Sequence, residues 1–459
     1  MGCEIVNKQN EKTELLKNMP VPKALLSMGL PTMIGMMISA LYNLADAYFV
    51  SGLGASQMGA ISVAYPLGQI MVGLGLLFGN GAASYISRLL GSGQRNKADQ
   101  TASTALYGSI CAGVLIIICT IVFLKPVLRF FGATDSILPY ALTYARIYLA
   151  SSIFNIFNVA MNNIAASEGA AKTAMYAMLT GAALNIILDP VFIYILNLGI
   201  SGAAAATAVS QLVSSLIYLR YILSGKSVFH FRIKDCRFCA EILSEIFKIG
   251  VPTLIFQLLT SLSITLINMK AADYGDFAIA AMGAEVRILS LITLMVFGFI
   301  KGFQPVAGYS YGAGNFERLK EATRLSVLWT TAFCVTIGLF LILFAPSIMS
   351  QFAHGDAQII GIGQKALRAN GFSIMFFGYH TVYSALFLAL GKGKAGLFLG
   401  ACRQGICFLP IILIFPEILG LNGVLYAQPA ADIAAVVITA FMASRLSKKL
   451  AKTKKDKRS

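Results

Sequence analysis

Charge is what this chain lacks. Asp, Glu, Lys and Arg make up 12% of its 459 residues against 57% hydrophobic residues, and the mean hydropathy is +0.75. That scarcity excludes an ordinary soluble domain and points to long membrane-spanning stretches. Catalytic signatures are missing too. There is no HExxH helix, no Walker lysine loop and no nucleophile elbow, so nothing in the sequence assigns an enzyme. No signal peptide is visible, and the polar, mixed-charge opening residues are expected to start the chain in the cytosol. Met1-Gly2-Cys3 precedes Val6, where a myristoylation site carries Ser or Thr. The eight cysteines scatter mainly through apolar runs, where free Cys acts as a small packing residue. Cys236-Arg-Phe-Cys239, with His230 upstream, lacks the second pair that a zinc site needs and reads as reduced thiols. Gly391-Lys-Gly393-Lys-Ala-Gly396 matches a dinucleotide fingerprint, with Glu417 near the expected acid. A membrane-length helix precedes it instead of a strand, so the context fails.

Apolar runs are plentiful. About twelve stretches are long enough to cross a bilayer. They lie near 24–50, 58–86, 101–124, 140–166, 173–195, 200–223, 246–271, 278–307, 322–345, 365–390, 396–415 and 421–446. The expected class is an all-α polytopic membrane protein. The net charge of +16 does not indicate nucleic acid, because most Lys and Arg fall in the tails and in the loops on one side. Only Lys125, Arg129 and Lys270 fall in loops on the other. This bias sets both termini inside. The run Lys448–Arg458 reads as an anchor to anionic lipid.

The chain also repeats itself. Gly29-Leu30-Pro31 opens the first span and Gly250-Val251-Pro252 the seventh. Gly59-Ala60 pairs with Gly283-Ala284, Gly91-Ser-Gly93 with Gly312-Ala-Gly314, and Leu198–Gly202 with Leu419–Gly423. Two pseudo-symmetric six-helix bundles follow, and the even span number makes the repeats parallel. The expected division is a tail 1–22, a first lobe 23–224, an interlobe loop 225–245, a second lobe 246–446 and a basic tail 447–459. Such repeats characterise transporters, with the substrate site between them.

Against this background, polar residues inside spans stand out. Span one carries Ser39, Tyr42, Asn43 and Asp46 on one helix face; span five carries Asn185 and Asp189. Span four carries Asn155, Asn158 and Asn162, and span six Thr207, Ser210, Gln211 and Ser214. Lipid leaves such groups unpaired, so the stripes must face one another or water. Span direction puts Asp46, Asp189 and Thr207 in the outer part of the membrane at similar height. Oxygen ligands from separate spans at one level suit a small cation or a proton. Asp189-Pro190 could instead simply end a helix, and Asp46 could hydrogen-bond a neighbour. The second copy lacks both acids: Ile267–Asn268 and Pro410–Ile411 stand at the equivalent positions.

The second half has its own charges. Glu285 falls in the outer part and is a possible second titratable site. Arg403 and Asp432 are expected to pair, since intramembrane charges do so. Arg287 and Lys301 complete the set. Methionines near the stripes, including Met161 and Met178, suit core packing or an adaptable wall for apolar cations. Tyr42, Asn43, Asn155, Asn158, Gln211, Met161 and Met178 are the candidate cavity lining. Pro31 is a candidate hinge.

The two lobes and several segments resemble the multidrug and toxic compound extrusion (MATE) family. The segments are Asp46-Ala-Tyr-Phe-Val-Ser-Gly-Leu-Gly54, Asn185-Ile-Ile-Leu-Asp189-Pro190, Gly79–Gly91 and Gly302–Gly314. The resemblance covers about residues 20–446. It implies an antiporter of a bacterial plasma membrane, monomeric, exporting amphipathic organic cations in exchange for H+ or Na+, with no other cofactor. Asp46, Asn185, Asp189 and Thr207 match the proton or sodium site of the DinF-like branch. Two other readings remain at this stage: a flippase of lipid-linked sugars, which needs a strongly cationic cavity, and a non-transporting membrane sensor or scaffold, which has no need of duplication.

Overall fold

The computed structural model describes residues 14–53, 55–352 and 356–456. Its helices are α1 (Val21–Ser51), α2 (Ala55–Gly91), α3 (Arg95–Val122), the short α4 (Leu124–Phe130), α5 (Leu138–Ser167), α6 (Ala171–Pro190) and α7 (Ile200–Leu223). After an irregular segment come α8 (Ala240–Ala272), α9 (Asp276–Gly312), α10 (Phe316–Phe352), α11 (Ala357–Ala389), α12 (Gly393–Ala401), α13 (Phe408–Leu419) and α14 (Leu421–Asp456). Among the described residues, eleven stretches are apolar and long enough to span a membrane. The twelfth expected span is α5, 30 residues long. Its asparagines lower its apolarity because it faces the protein interior. The eleventh span is α12 and α13 joined by a π-helical turn, Cys402–Ile406.

In the first half α2 packs on α5, α5 on α7, α7 on α6 and α6 on α1. In the second, α9 and α14 flank α11, α10 covers α11, and α12 lies on α8. The halves meet where α1 crosses α9 and α2 crosses α8 and α9.

Glycines explain why the crossings are so close. A Cβ on Gly302 would strike the Gly29 backbone, and one on Gly250 would strike the Leu77 carbonyl. Gly91 abuts the Tyr309 carbonyl of α9, while Gly312 abuts the Arg88 carbonyl of α2. These contacts exchange under the repeat, since Arg88 and Tyr309 stand at equivalent positions. The two remaining repeat glycines are equally alike in backbone. Gly199 has φ 55°, ψ −133° and Gly420 has φ 60°, ψ −140°, a region essentially reserved for glycine.

Several boundaries differ from expectation. Helix α8 begins at Ala240, inside the expected interlobe loop. Helix α14 runs on to Asp456, so most of the basic tail continues the last span; residues 457–459 and Met1-Gly2-Cys3 lie outside the described residues. The segment before α1 is seated on the second lobe: Leu16 is buried in that lobe's core, and Arg318 donates to the Met19 carbonyl at 2.7 Å.

Candidate functional site

A cavity of about 710 Å3 lies between the lobes. Tyr42, Asn43, Asn155, Asn158, Gln211 and Met178 line it as expected. Met161 does not: it is fully buried in the core that also holds Phe78 and Ile164, because its helical position turns it away from the Asn155 and Asn158 face. The wall of the first lobe is a bonded amide network. Asn158 Nδ2 donates to the Gln211 side-chain oxygen at 2.8 Å, and Ser215 Oγ donates to Asn158 Oδ1 at 2.9 Å.

The four candidate ion-site residues come together. Asn185 Nδ2 lies 3.4 Å from both Asp189 Oδ1 and Thr207 Oγ1. The Asp46 and Asp189 carboxyls are within hydrogen-bonding reach of each other. Asn185 and Thr207 face the cavity, and Asp189 is completely buried. Asp46 Oδ1, Asp189 Oδ2 and Asn185 Oδ1 are buried without a hydrogen-bond partner. Unsatisfied buried acceptors are costly and call for an explanation. Oxygens of this kind fit a proton or a hard cation such as sodium.

The sequence reading missed the tyrosines beside these acids. Tyr144 and Tyr148 of α5 stack with ring centroids 5.8 Å apart, and they border Asp46 together with Tyr42. Their signal was available: they extend the Asn155–Asn158–Asn162 stripe by helical spacing.

In the second lobe, Glu285 is buried, lines the cavity and leaves Oε1 unpartnered. Arg403 and Asp432 do pair, Nε to Oδ1 at 2.9 Å. Asp432 also accepts from Gln428 Nε2 at 2.7 Å and Ser373 Oγ at 3.3 Å. The Arg403 guanidinium lies over the Phe377 ring at 4.5 Å. The π-helical turn that interrupts the eleventh span carries this arginine, a common use of such turns.

Toward the face where α1 begins and α14 ends, the lobes are tied together. Thr32 Oγ1 donates to the Gly298 carbonyl at 2.6 Å and Ser84 Oγ to the Leu388 carbonyl at 2.6 Å. Arg88 pairs with Glu245 at 2.8 Å, and Lys97 pairs with Glu241. The former nucleotide-like motif belongs to this closure: Gly391, at φ 75°, packs under Arg88, and Gly393 abuts the Lys248 carbonyl. The irregular segment before α8 is pinned by Glu168, which accepts from Tyr221 Oη, Ser227 Oγ and the Val228 amide at 2.5, 2.9 and 2.6 Å. His230 faces Asp99 at 3.4 Å rather than the cysteines, and burial pushes the Cys236 thiol up.

The MatE family model matches residues 31–191 and 252–414, one stretch in each lobe. The multidrug export protein MepA of Staphylococcus aureus NCTC 8325 is 30% identical over 450 residues, covering 96% of this chain and 98% of that protein. Among solved structures, an outward-facing multidrug resistance MATE transporter of the MOP superfamily superposes with a TM-score of 0.91 at 30% identity. It covers 96% of this chain and 98% of that one. A MATE structure in a bent conformation gives 0.89 at 31% identity, with coverage of 96% and 98%. With its two matched lobes, its paired crossings and a cavity between them, the chain is a membrane transporter that belongs to the MatE family.

Proposed function

We propose that the protein is a cation-coupled antiporter that exports amphipathic organic cations. The observation that carries this is the group of three unpartnered buried oxygens on Asp46, Asp189 and Asn185 beside Thr207. Two carboxylates within hydrogen-bonding reach repel when both are charged, so one proton or one sodium ion stabilises the pair. Loading draws α1 toward α6; release lets the acids separate. Asn185 and Thr207 belong both to the ion site and to the cavity lining, so ion and substrate occupancy are linked through the same wall. A cationic substrate is held best while the acids are ion-free and is expelled when they load from outside.

Pro31 is the proposed hinge of α1, because proline withholds the backbone donor that would complete the turn. Glu285 is the proposed second titratable group. The positive-inside bias supports cytoplasmic termini, and the bacterial relatives support a plasma membrane. Small organic cations and bilayer lipids are the partners expected of a monomer. A diphosphate flippase is disfavoured because Arg403 is already engaged by Asp432 and Arg287 is exposed. The test is efflux of a cationic dye from cells expressing Asp46→Asn at normal level: efflux should fall at least about tenfold, the effect of removing one strong charge contact. Wild-type efflux from that variant would end the coupling role.

A further inference from the structure

Lys301 is the charge that neither the coupling site nor the lobe ties account for. It sits in α9 and lines the cavity. Its ammonium donates one long hydrogen bond, 3.3 Å, to Asn162 Oδ1 across the lobes. Among the described residues no carboxylate pairs with it. Intramembrane ammonium groups are rare and costly, and they normally carry a partner. The acids that face the same cavity do not serve. Asp432 is taken by Arg403, Gln428 and Ser373. Glu285 lies sixteen residues away on the same helix, roughly 24 Å along its axis. Asp46 and Asp189 belong to the opposite lobe near the other face.

The repeat removes the structural explanation. Asn80 of α2 occupies the position equivalent to Lys301, lines the same cavity and donates to Thr253 Oγ1 at 2.8 Å. The architecture is therefore satisfied by a neutral amide at this place, and the second lobe has a charge there instead. Gln304, one turn on, adds an amide to the floor. Phe297, one turn back, and Phe256 form an edge-to-face wall above it, centroids 6.1 Å apart.

We infer that Lys301, with the Gln304 amide beside it, forms a subsite for a single anionic group, the carboxylate of an aromatic amphipathic substrate whose ring lies on Phe297 and Phe256. This rests on the multidrug reading above and narrows it: zwitterions bearing an aryl carboxylate are bound through both ends, the amine toward the acidic first lobe. One free positive charge matches a monoanion and is too little for a diphosphate.

The test uses the purified full-length protein in phosphatidylcholine nanodiscs. The probes are a fluorescent aryl amine carboxylate and its methyl ester, which differ in the one charge. The wild-type protein should bind the acid about tenfold more tightly than the ester, as a charge-assisted hydrogen bond implies. K301N, which installs the amide already tolerated at Asn80, should bring the two within about twofold, and K301R should restore the preference. Equal affinities in the wild type overturn the subsite whether or not K301N folds, and so does a preference that survives K301N. A preference that vanishes when phosphatidylglycerol is added assigns the lysine to a lipid phosphate and contradicts a substrate site. Failure of the wild type to bind either probe contradicts the multidrug reading itself.

Discussion

Asp46 and Asp189 each cost about 2.5–3.5 kcal/mol on insertion scales if charged at mid-membrane. Such a cost is why both could be singled out from sequence. Their absence from the second copy separated them from residues that the architecture repeats. Asp189→Asn should lower gradient-driven dye efflux at least about tenfold, measured at matched protein level, with the packing of α6 unchanged. Arg403 and Asp432 behave in the opposite way. R403M leaves Asp432 buried beside Gln428 and Ser373 without its cation, which costs about 3–5 kcal/mol. The loss should appear as a lower Tm in detergent, and most of it should return in the R403M/D432L double variant. A single variant as stable as the wild type would show the pair to be idle. Other residues were not legible singly. Met161 and Met178 look alike in sequence, yet one is buried and one lines the cavity. The Arg403–Asp432 pair is expected from sequence and is present, whereas only the fold reveals that Lys301 has no carboxylate partner among the described residues.

At the scale of elements, a Gly-x-Gly sequence after the second and the eighth span suits a tight turn at a helix end. Gly93 and Gly314 do adopt positive φ, 79° and 69°. Their neighbours Gly91 and Gly312 serve a different purpose, as the paired contact between α2 and α9. A turn reading could not foresee that, because the carbonyl each glycine meets lies in the other lobe. G312V should push the helices apart on the face that carries the lobe ties. The expected result is a lower Tm and faster reaction of a cysteine placed at Ser84 with a membrane-impermeant thiol reagent applied to the face on which α1 begins. Unaltered labelling would mean that the crossing does not close that face. Glu168 makes a comparable prediction for the segment before α8. E168Q keeps its acceptor for the Val228 amide but loses charge, so protease cleavage within residues 225–239 should accelerate only modestly; E168A, which removes the carboxylate that three donors share, should accelerate it strongly. The span count was legible because a bilayer fixes helix length. The seating of Leu16 and Met19 on the second lobe was not, since a few apolar residues in a polar opening have no periodicity to read.

At the scale of the whole molecule, two homologous lobes meet along related crossings and enclose one cavity, yet their chemistry has diverged. The first lobe holds the acid pair with its orphan oxygens. Around the cavity the second holds the Arg403–Asp432 ion pair, with Glu285 and Lys301 outside any ion pair among the described residues. Duplication supplies two bodies that can rock against each other, and the divergence supplies what biases the rocking. In this arrangement the lobe ties of Thr32, Ser84 and Arg88 lie toward one face and the acid pair toward the other. On the proposed coupling, ion loading at the acid pair would act at a distance from this closure. The measurement that bears most directly on this account is dye flux in proteoliposomes containing only the purified protein, under separately imposed sodium and proton gradients. The account predicts gradient-driven flux under at least one of them, abolished by Asp46→Asn. Flux that survives in that variant, or no flux under either gradient, would contradict it.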